Sequence, residues 1–240
     1  MDDLSNPPLG RVTHLTRYPV KSLVGEELES VQVSLRGLDG DRQWAVRDVD
    51  GKLGSGKSTR RFRRMPGLLE LSAGYDDGPV PTVCFPDGKR LRADDPGIHR
   101  AVSTRVGRPV TLDPEAAVSH FDEGPLHIVT SSSLARLSEL HGAAVDPRRL
   151  RANLVVDTGQ APRFDEADWD GRELAIGDEV TVRVRGLMER CVMVGLPQIG
   201  LDTDRRLLET IGRVNDLVLG LVADVLTPGT VRLHDTVRPL

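Results

Sequence analysis

The sequence predicts a mainly β protein, of the β-rich α+β class, with a few short helices. Glycine and proline, at 24 and 16 of 240 residues, interrupt the chain every few positions, which is typical of short strands joined by turns. Several segments alternate apolar and polar side chains, whereas helical spacing recurs in only three. Hydrophobic residues make up 38% and charged residues 28%, so the composition is that of a folded globular chain.

The predicted strands begin with two clear cases, Val31–Leu35 and Val180–Arg185, in which every second side chain is apolar. This alternation indicates a strand with one face in the core and one in solvent. The remaining predicted strands are shorter or less regular: Arg11–Arg17, Gln43–Val49, Leu68–Ser72, Thr82–Phe85, Leu154–Val156, Leu217–Val225 and Val231–Leu233.

Three helices are predicted from apolar residues three or four positions apart. The first covers Pro96–Val106, with Asp95 as its cap and Gly107 as its end. The second is capped by Ser132 or Ser133 and ends at Gly142. The third runs from Asp204 to Gly212. The polar, acidic stretch 113–124 separates two modules, which we place at residues 10–112 and 113–240.

Charge and hydropathy exclude several classes of protein. A net charge of −4 provides no long-range attraction for phosphates, so we expect no nucleic-acid partner, and the arginines of 60–64 are predicted to be a solvated surface. No run approaches the roughly 18 apolar residues of a membrane span, so we expect no membrane partner and a cytoplasmic location. Cys84 and Cys191 are predicted to be free thiols, because a reducing compartment does not favour a disulfide.

Residues Gly51–Ser58 match the phosphate-loop pattern G-x-x-x-x-G-K-[ST] completely. That motif also requires an apolar parallel strand before the loop and a helix of several turns after it. A charged alternating segment precedes the match and runs into Asp50-Gly51, a strong hairpin signal, while Pro66 would end any following helix. The sequence therefore predicts a hairpin loop here and does not favour nucleotide binding.

Cys191 is the more informative of the two cysteines because it directly follows Arg190, just beyond a predicted strand. A neighbouring guanidinium favours the thiolate, which is the nucleophilic and metal-binding form of cysteine. Local sequence alone nevertheless favours a buried structural thiol, since free cysteine is among the most buried residue types. Zinc-site spacings such as C-x-x-C or H-E-x-x-H do not occur.

Five short motifs, in this order and spacing, resemble the MOSC family, which includes the mitochondrial amidoxime-reducing component and bacterial relatives. They are Tyr18–Ser22 (YPVKS), Gly40–Trp44 (GDRQW), Arg151–Asn153 (RAN), Gly177-Asp178 and Arg190-Cys191. The resemblance extends over the chain from about Arg11. It implies an N-terminal β-barrel module followed by a MOSC β-barrel module, with a cofactor site between the two.

The resemblance also implies a molybdenum–pterin cofactor, with Cys191 as the metal ligand at the catalytic centre. The positions that match cofactor-contacting residues of the family, with weaker candidates last, are Lys21, Ser22, Arg42, Arg151, Arg190, Asn153, Ser131 and Ser132. Cations together with a hydroxyl suit a doubly charged phosphate, and a soft thiolate suits molybdenum. Pyridoxal phosphate is a family-level label; Lys21 offers an amine for it, but no carboxylate to orient its pyridinium is identifiable.

By resemblance, the activity is the two-electron reduction of N-hydroxylated or N-oxygenated small molecules, with electrons from a separate iron–sulfur or flavin protein. Two alternatives remain open: a sulfur carrier that uses a Cys191 persulfide, and a non-enzymatic carrier of the cofactor. This chain has Val194–Gln198 where reductases continue with Thr-Thr-x-Asp-Pro, and Val222 at an aromatic position. These departures leave substrate choice and turnover open. We also expect the membrane anchor of the mitochondrial members to be missing.

Overall fold

The computed structural model describes residues 7–240 and confirms the β-rich fold class. Residues up to 114 contribute β1 (Gly10–Arg17), β2 (Glu26–Glu27), β3 (Ser30–Ser34), β4 (Gly37–Leu38), β5 (Trp44–Asp48), β6 (Leu53–Ser55), β7 (Phe62–Arg64), β8 (Ser72–Gly74), β9 (Thr82–Cys84), β10 (Arg90–Arg92) and β11 (Val110–Pro114). Later residues contribute β12 (Leu126–Thr130), β13 (Leu154–Asp157), β14 (Glu173–Ile176), β15 (Val180–Glu189), β16 (Val218–Thr227), β17 (Gly229–Arg232) and β18 (Thr236–Pro239). The α-helices are α1 (Ile98–Val106), α2 (Ser131–His141) and α3 (Leu207–Asn215).

Seven strands close into a barrel in the order β13-β12-β16-β15-β14-β18-β1, and antiparallel pairing of β1 with β13 completes the ring. β12 and β13 are parallel, which requires the long connection through α2 between them. The interior is filled by aliphatic side chains that are almost fully buried, among them Val12, Ile128, Leu154, Val182 and Leu221. Closure leaves these strands without free edges, so the barrel is a rigid support for the residues at its rim.

Outside the barrel, a four-stranded sheet of order β11-β5-β6-β7 and a three-stranded sheet of order β10-β9-β8 enclose a second core. α1 packs on this core through Ile98 and Val102, which are four residues apart and therefore on one helix face. β3 lies elsewhere, pairing with β17 and β4. Segments distant in sequence thus share sheets, because β1 and β3 both pair with strands beyond residue 150.

Most predicted strands are confirmed to within a few residues, but Leu68–Ser72 is wrong. A short 3₁₀ helix occupies Leu68–Glu70, entered through Gly67 at φ 91°, and the strand starts only at Ser72. Its apolar residues are buried, so they produce the signal of a strand without its geometry. β12 was not predicted: all five of its residues are buried, so it shows no alternation.

All three predicted helices are confirmed, with different ends. The second is capped by Thr130, whose hydroxyl accepts from the Ser133 amide at 3.2 Å, and not by Ser132 or Ser133. The third starts at Leu207, where Asp204 Oδ1 accepts from its amide at 3.1 Å, and continues past Gly212 to Asn215. Among residues 7–240, no helix combines the length and apolar character needed to cross a membrane.

Candidate functional site

One cleft brings together seven of the nine predicted site residues, drawn from both sides of residue 113. It encloses about 740 Å³ of space out to the open solvent. The predicted residues in its walls are Lys21, Ser22, Arg42, Arg151, Asn153, Arg190 and Cys191. The cleft lies at the rim of the barrel, where β15 ends and the loops after β1 and β4 pass.

Cys191 follows the end of β15 and begins a 3₁₀ turn over Val192–Gly195. Its carbonyl accepts from the Val194 amide at 3.2 Å, which fixes the backbone on either side of the thiol. The side chain is half-buried, and both cysteines are free, as predicted. The thiol is therefore positioned by backbone structure while part of its surface remains open to a ligand.

Arg190 anchors the segment beside the thiol. Its side chain is buried, with Nη2 donating to the Leu150 carbonyl at 2.6 Å and Nη1 to Nε2 of His127 at 3.2 Å. Burial lowers the pKa of Arg190 to about 10, which still leaves it charged at neutral pH. Its guanidinium thus places a fixed positive charge next to Cys191.

His127 links two arginines of the site. Its Nε2 accepts from Arg190, so the ring proton lies on Nδ1, which donates to the Arg151 carbonyl at 3.4 Å. Burial, together with the charge of Arg190, holds the pKa of His127 well below its ordinary 6.5. The imidazole is therefore neutral and acts as a connector between the turn at Arg151 and the segment that carries Cys191.

The side chains of two arginines lie over the ring of Tyr18. The guanidinium carbons of Arg42 and Arg151 lie 4.8 and 4.3 Å from the ring centroid, and the hydroxyl donates to the Ala152 carbonyl at 3.2 Å. Both arginines have positive φ, at 51° and 54°, which is unusual for residues other than glycine. Cation–π contact with a buried ring fixes the direction of two flexible side chains.

Arg42 and Arg151 differ in the hydrogen-bond acceptors that their guanidinium groups find. Arg42 donates to the Asp41 carboxylate and, at 3.3 Å, to the Arg151 carbonyl. Nη1 and Nη2 of Arg151 are buried, and no residue within 7–240 accepts a hydrogen bond from them. Burial lowers the pKa of Arg151 to about 10. A buried guanidinium without acceptors is costly, and an anionic or carbonyl-bearing ligand in the cleft would satisfy it.

Lys21 is 2% exposed, and its Nζ lies 2.9 Å from Oδ1 of Asp122. Burial lowers the pKa of Lys21 to about 8, against the opposing effect of Asp122. The Nζ also lies 5.0 Å from the centroid of the Phe62 ring. Ser22, at φ 66°, donates from its hydroxyl to the Gly54 carbonyl at 2.9 Å. The YPVKS motif therefore forms a tight, non-extended turn that directs an ammonium into the cleft.

Asn153 lines the cleft but uses its amide internally. Oδ1 accepts from the His127 amide at 3.1 Å, and Nδ2 donates to the Thr16 carbonyl at 3.2 Å. These bonds join β1, β12 and the turn before β13. Asn153 therefore serves to position neighbouring residues and has little amide left for a ligand.

Ser131 and Ser132 are not among the residues that line the cleft. Their hydroxyls donate to Asp157 at 2.8 Å and to Asp165 at 2.6 Å, respectively. Both lie in the first turn of α2, where Thr130 and Glu166 complete a buried polar cluster. We therefore do not include them in the proposed site.

Four residues of this region were not predicted: Tyr18, Lys57, Asp122 and His127. Lys57 belongs to the segment that matches the phosphate loop, which here contains a turn at Asp48–Gly51 and strand β6, with strand β7 following instead of a helix. Asp122 and His127 belong to no motif. Tyr18 stands within YPVKS and could have been included from that position.

The residues of the cleft suit an anionic cofactor that contains a soft metal ion. A partly exposed thiol beside a fixed cation matches a soft metal ion. Arg151 has two unsatisfied donors, and Lys21, Arg42 and Lys57 add positive charge. Within residues 7–240, no three His, Cys, Asp or Glu side chains form a cluster able to hold a metal ion.

Several known proteins are similar to this chain. It is 25% identical over 245 residues to mitochondrial amidoxime-reducing component 1 of Homo sapiens, covering 85% of this chain and 71% of the human protein. It is 23% identical over 232 residues to the molybdenum cofactor sulfurase of Oryza sativa subsp. japonica, covering 75% of this chain but only 28% of the rice protein. The crystal structure of the YuaD protein of Bacillus subtilis shares the fold, with a TM-score of 0.52 at 15% identity over 96% of this chain and 94% of that one.

Two family profiles match adjacent and slightly overlapping stretches of the chain. The MOSC N-terminal beta barrel domain matches residues 9–120, and the MOSC domain matches residues 113–238. The second match alone covers more than half of the sequence and contains β12 to β17, most of β18, Arg151 and Cys191. The chain therefore belongs to the MOSC domain family.

Proposed function

We propose that the cleft binds a molybdenum–pterin cofactor, with Cys191 as the protein ligand to the metal, and that the loaded protein reduces N-hydroxylated or N-oxygenated small molecules. The observation that carries the proposal is Arg151. Its two terminal nitrogens are buried in the same cleft as the half-buried thiol, and no acceptor for them lies among residues 7–240. A ligand with oxygen acceptors on one part and a metal on another would satisfy both groups.

The cationic residues would hold the organic part of the cofactor. Arg151 presents a two-pronged donor fixed against Tyr18, and Arg42 lies on the same ring with its carboxylate partner Asp41 behind it. Lys21 brings an ammonium ion on a buried stem, which suits a phosphate group. These charges come from three separate loops, so binding would also fix the loops relative to each other.

The residues around the thiol would hold the metal-bound sulfur in place. The metal binds cysteine as the thiolate, and Arg190, anchored on the Leu150 carbonyl, would place a positive charge beside that bound thiolate. Neutral His127 fixes Arg190 without adding a titrating charge near neutral pH. The bound cofactor would supply two electrons, which with two protons cleave an N–O bond and release water. A separate electron-donor protein would restore those electrons.

The relatives support this proposal through what their names describe. One is an amidoxime-reducing component and another a molybdenum cofactor sulfurase, and both names point to molybdenum or to the reduction of N-hydroxylated compounds. The sulfurase is covered over 28% of its length, so its whole activity does not transfer. Pyridoxal phosphate fits less well, because the Lys21 amine that it would need is engaged by Asp122.

The test compares the two cysteines in matched variants. Cys191→Ala and Cys84→Ala each remove one half-buried free thiol. We expect Cys191→Ala to lose molybdenum, measured by elemental analysis, and to lose reduction of an N-hydroxylated amidine with a chemical electron donor. Cys84→Ala should retain both, and both variants should unfold at temperatures close to the wild type.

Three outcomes would contradict parts of the proposal. Equal molybdenum in both variants would show that Cys191 is not the ligand. A metal-free wild type that carries sulfane sulfur on Cys191 would favour the persulfide carrier instead. A wild type that contains molybdenum and pterin but reduces no N-hydroxylated compound would favour a non-enzymatic cofactor carrier.

A further inference from the structure

A second pocket adjoins the cofactor cleft and is lined mainly by apolar side chains. It encloses about 570 Å³ of space, counted out to the open solvent. Its apolar walls are Met65, Leu68, Leu69, Met193, Leu196 and Pro197. Arg64 and Glu70, both exposed, are the charged residues on its lining.

The pocket and the cleft share two wall residues, Ser22 and Met193. Met193 lies two positions after Cys191, and its sulfur accepts from the Gly56 amide at 3.1 Å. The two spaces therefore meet at a boundary formed partly by a methionine, which is unbranched and adapts its shape readily. A molecule whose polar end lies near Cys191 can place an apolar end past Met193.

The far wall of the pocket is formed by the segment that departs from the reductase pattern. Pro197 stands where the resemblance leads one to expect a polar Asp, and Leu196 occupies the unspecified position before it. Gly56 is packed so closely that a Cβ there would lie 2.2 Å from Leu196 Cδ1. The facing wall is the 3₁₀ helix Leu68–Glu70, whose two leucines are buried. The departure thus adds apolar surface where a substrate would pass.

We infer that this pocket binds the apolar part of the substrate and selects N-hydroxylated compounds that carry an alkyl or aryl group of several carbons. The inference rests on the proposed function for the identity of the polar head. Burying each additional methylene in an apolar pocket is expected to tighten binding about fourfold, until the pocket is filled. Selectivity should therefore appear as a steep dependence on chain length.

The experiment measures binding of primary amides from acetamide to heptanamide, which share a small neutral head and contain no N–O bond. Protein with ¹³C-methyl methionine reports the site by NMR, because Met65 and Met193 line the pocket while Met188 lines only the cleft. We expect the signals of Met65 and Met193 to shift saturably, with a Kd that falls about fourfold per methylene. Met188 should show no such dependence.

Leu196→Glu should abolish the dependence on chain length, and Ile199→Glu should preserve it. Ile199 is exposed, lies on the same loop and does not line the pocket, so it is a matched control. If Leu196→Glu does not fold, Leu196→Ser replaces it and should weaken heptanamide binding several-fold.

Unmoved Met65 and Met193 signals in the wild type, or affinities that do not change with chain length, would overturn the inference. An unchanged dependence in the Leu196 variant would also overturn it. This titration needs no metal, so it is independent of the proposed function. Chain-length-dependent binding in protein that proves to lack molybdenum would keep the pocket and reject the reductase proposal.

Discussion

The Nζ of Lys21 lies 2.9 Å from Oδ1 of Asp122, joining residues that are 101 positions apart in the chain. Lys21 is almost fully buried, while the side chain of Asp122 is about half exposed. The contact connects the YPVKS turn to the acidic stretch between the two family matches. It therefore couples the charge of Lys21 in the cleft to a loop that carries none of the family motifs.

The first prediction concerns that charge. Burial lowers the pKa of Lys21 to about 8, and Asp122 opposes the shift, so Asp122→Asn should move this pKa below 8. NMR titration of ¹³C-methylated lysines measures the value directly. Asp50→Asn, which removes an exposed carboxylate paired with Arg63, should leave Lys21 unchanged. A Lys21 pKa that stays the same or rises in Asp122→Asn would contradict this account.

The second prediction concerns the unsatisfied guanidinium. Arg151→Met removes two buried donors without acceptors but keeps an aliphatic chain against Tyr18. We expect the free energy of unfolding of the cofactor-free protein to rise by about 1 kcal/mol, and the affinity for inorganic phosphate to fall about tenfold. Urea unfolding and ³¹P NMR titration measure the two changes. A loss of stability without any change in phosphate affinity would assign Arg151 a purely structural role.

Arg148→Met is the control for that variant. Arg148 lies in the short 3₁₀ helix Pro147–Leu150, which Arg151 directly follows, but it is exposed and paired with Asp146. Its replacement should change phosphate affinity by less than about twofold, because exposed ion pairs contribute little.

The third prediction is a pH dependence of stability at the start of α2. Burial raises the pKa of Glu166 to about 7 from 4.5, while Ser133 and the Thr130 amide donate to its carboxylate. The folded protein therefore binds more protons than the unfolded chain between pH 4.5 and 7. The stability from this group is fully present below pH 4.5 and is lost as pH rises through 7.

Glu166→Gln should remove this part of the profile, because glutamine resembles the protonated acid and does not titrate. Urea unfolding between pH 5 and 8 should show the wild type losing about 1–3 kcal/mol relative to the variant. Parallel stability curves for the two proteins would mean that Glu166 titrates as an ordinary carboxylate.

The fourth prediction tests the close packing of Gly220 against His127. Gly220 has φ 84°, and a Cβ there would lie 2.6 Å from His127 Nε2 and 2.9 Å from the Ile128 carbonyl. Gly159 also has positive φ, at 61°, but open space lies around its Cα. Gly159→Ala should therefore cost about 1 kcal/mol from backbone strain, and Gly220→Ala should cost at least about 3 kcal/mol. Equal losses in urea unfolding would show that the His127 contact yields without cost.

The local pattern of apolar and polar residues is enough to predict strands that have one buried and one exposed face. Val180–Arg185 alternates because only one of its faces is in the core, and its strand was predicted at the observed start. β12 contains a histidine and is buried on every side, so neither alternation nor helical spacing marks it. Leu68–Ser72 was misread because 3₁₀ turns bury apolar residues without a repeating pattern long enough to recognise.

The residues of the candidate site also fall into two groups, those that motifs identify and those that only the fold reveals. Lys21, Arg42, Arg151 and Cys191 were named from motif positions, and the fold places them around one cleft. Asp122 and His127 could not be named, since one is an acid in an acidic loop and the other a histidine in an unpredicted strand. Their part in the site arises only when β12 and the preceding loop are brought against β1 and β15.

The position of β1 between β13 and β18 has a consequence for how the protein is made. β18 extends to Pro239, so the barrel cannot close until almost the whole described chain has left the ribosome. Pairings over such sequence distances form slowly, and the start of β1 that pairs with β18 stays unpaired on that edge until the last strand is made. Loading of the proposed metal centre therefore belongs to a post-translational stage, and a chain stalled before residue 236 should remain a substrate for chaperones.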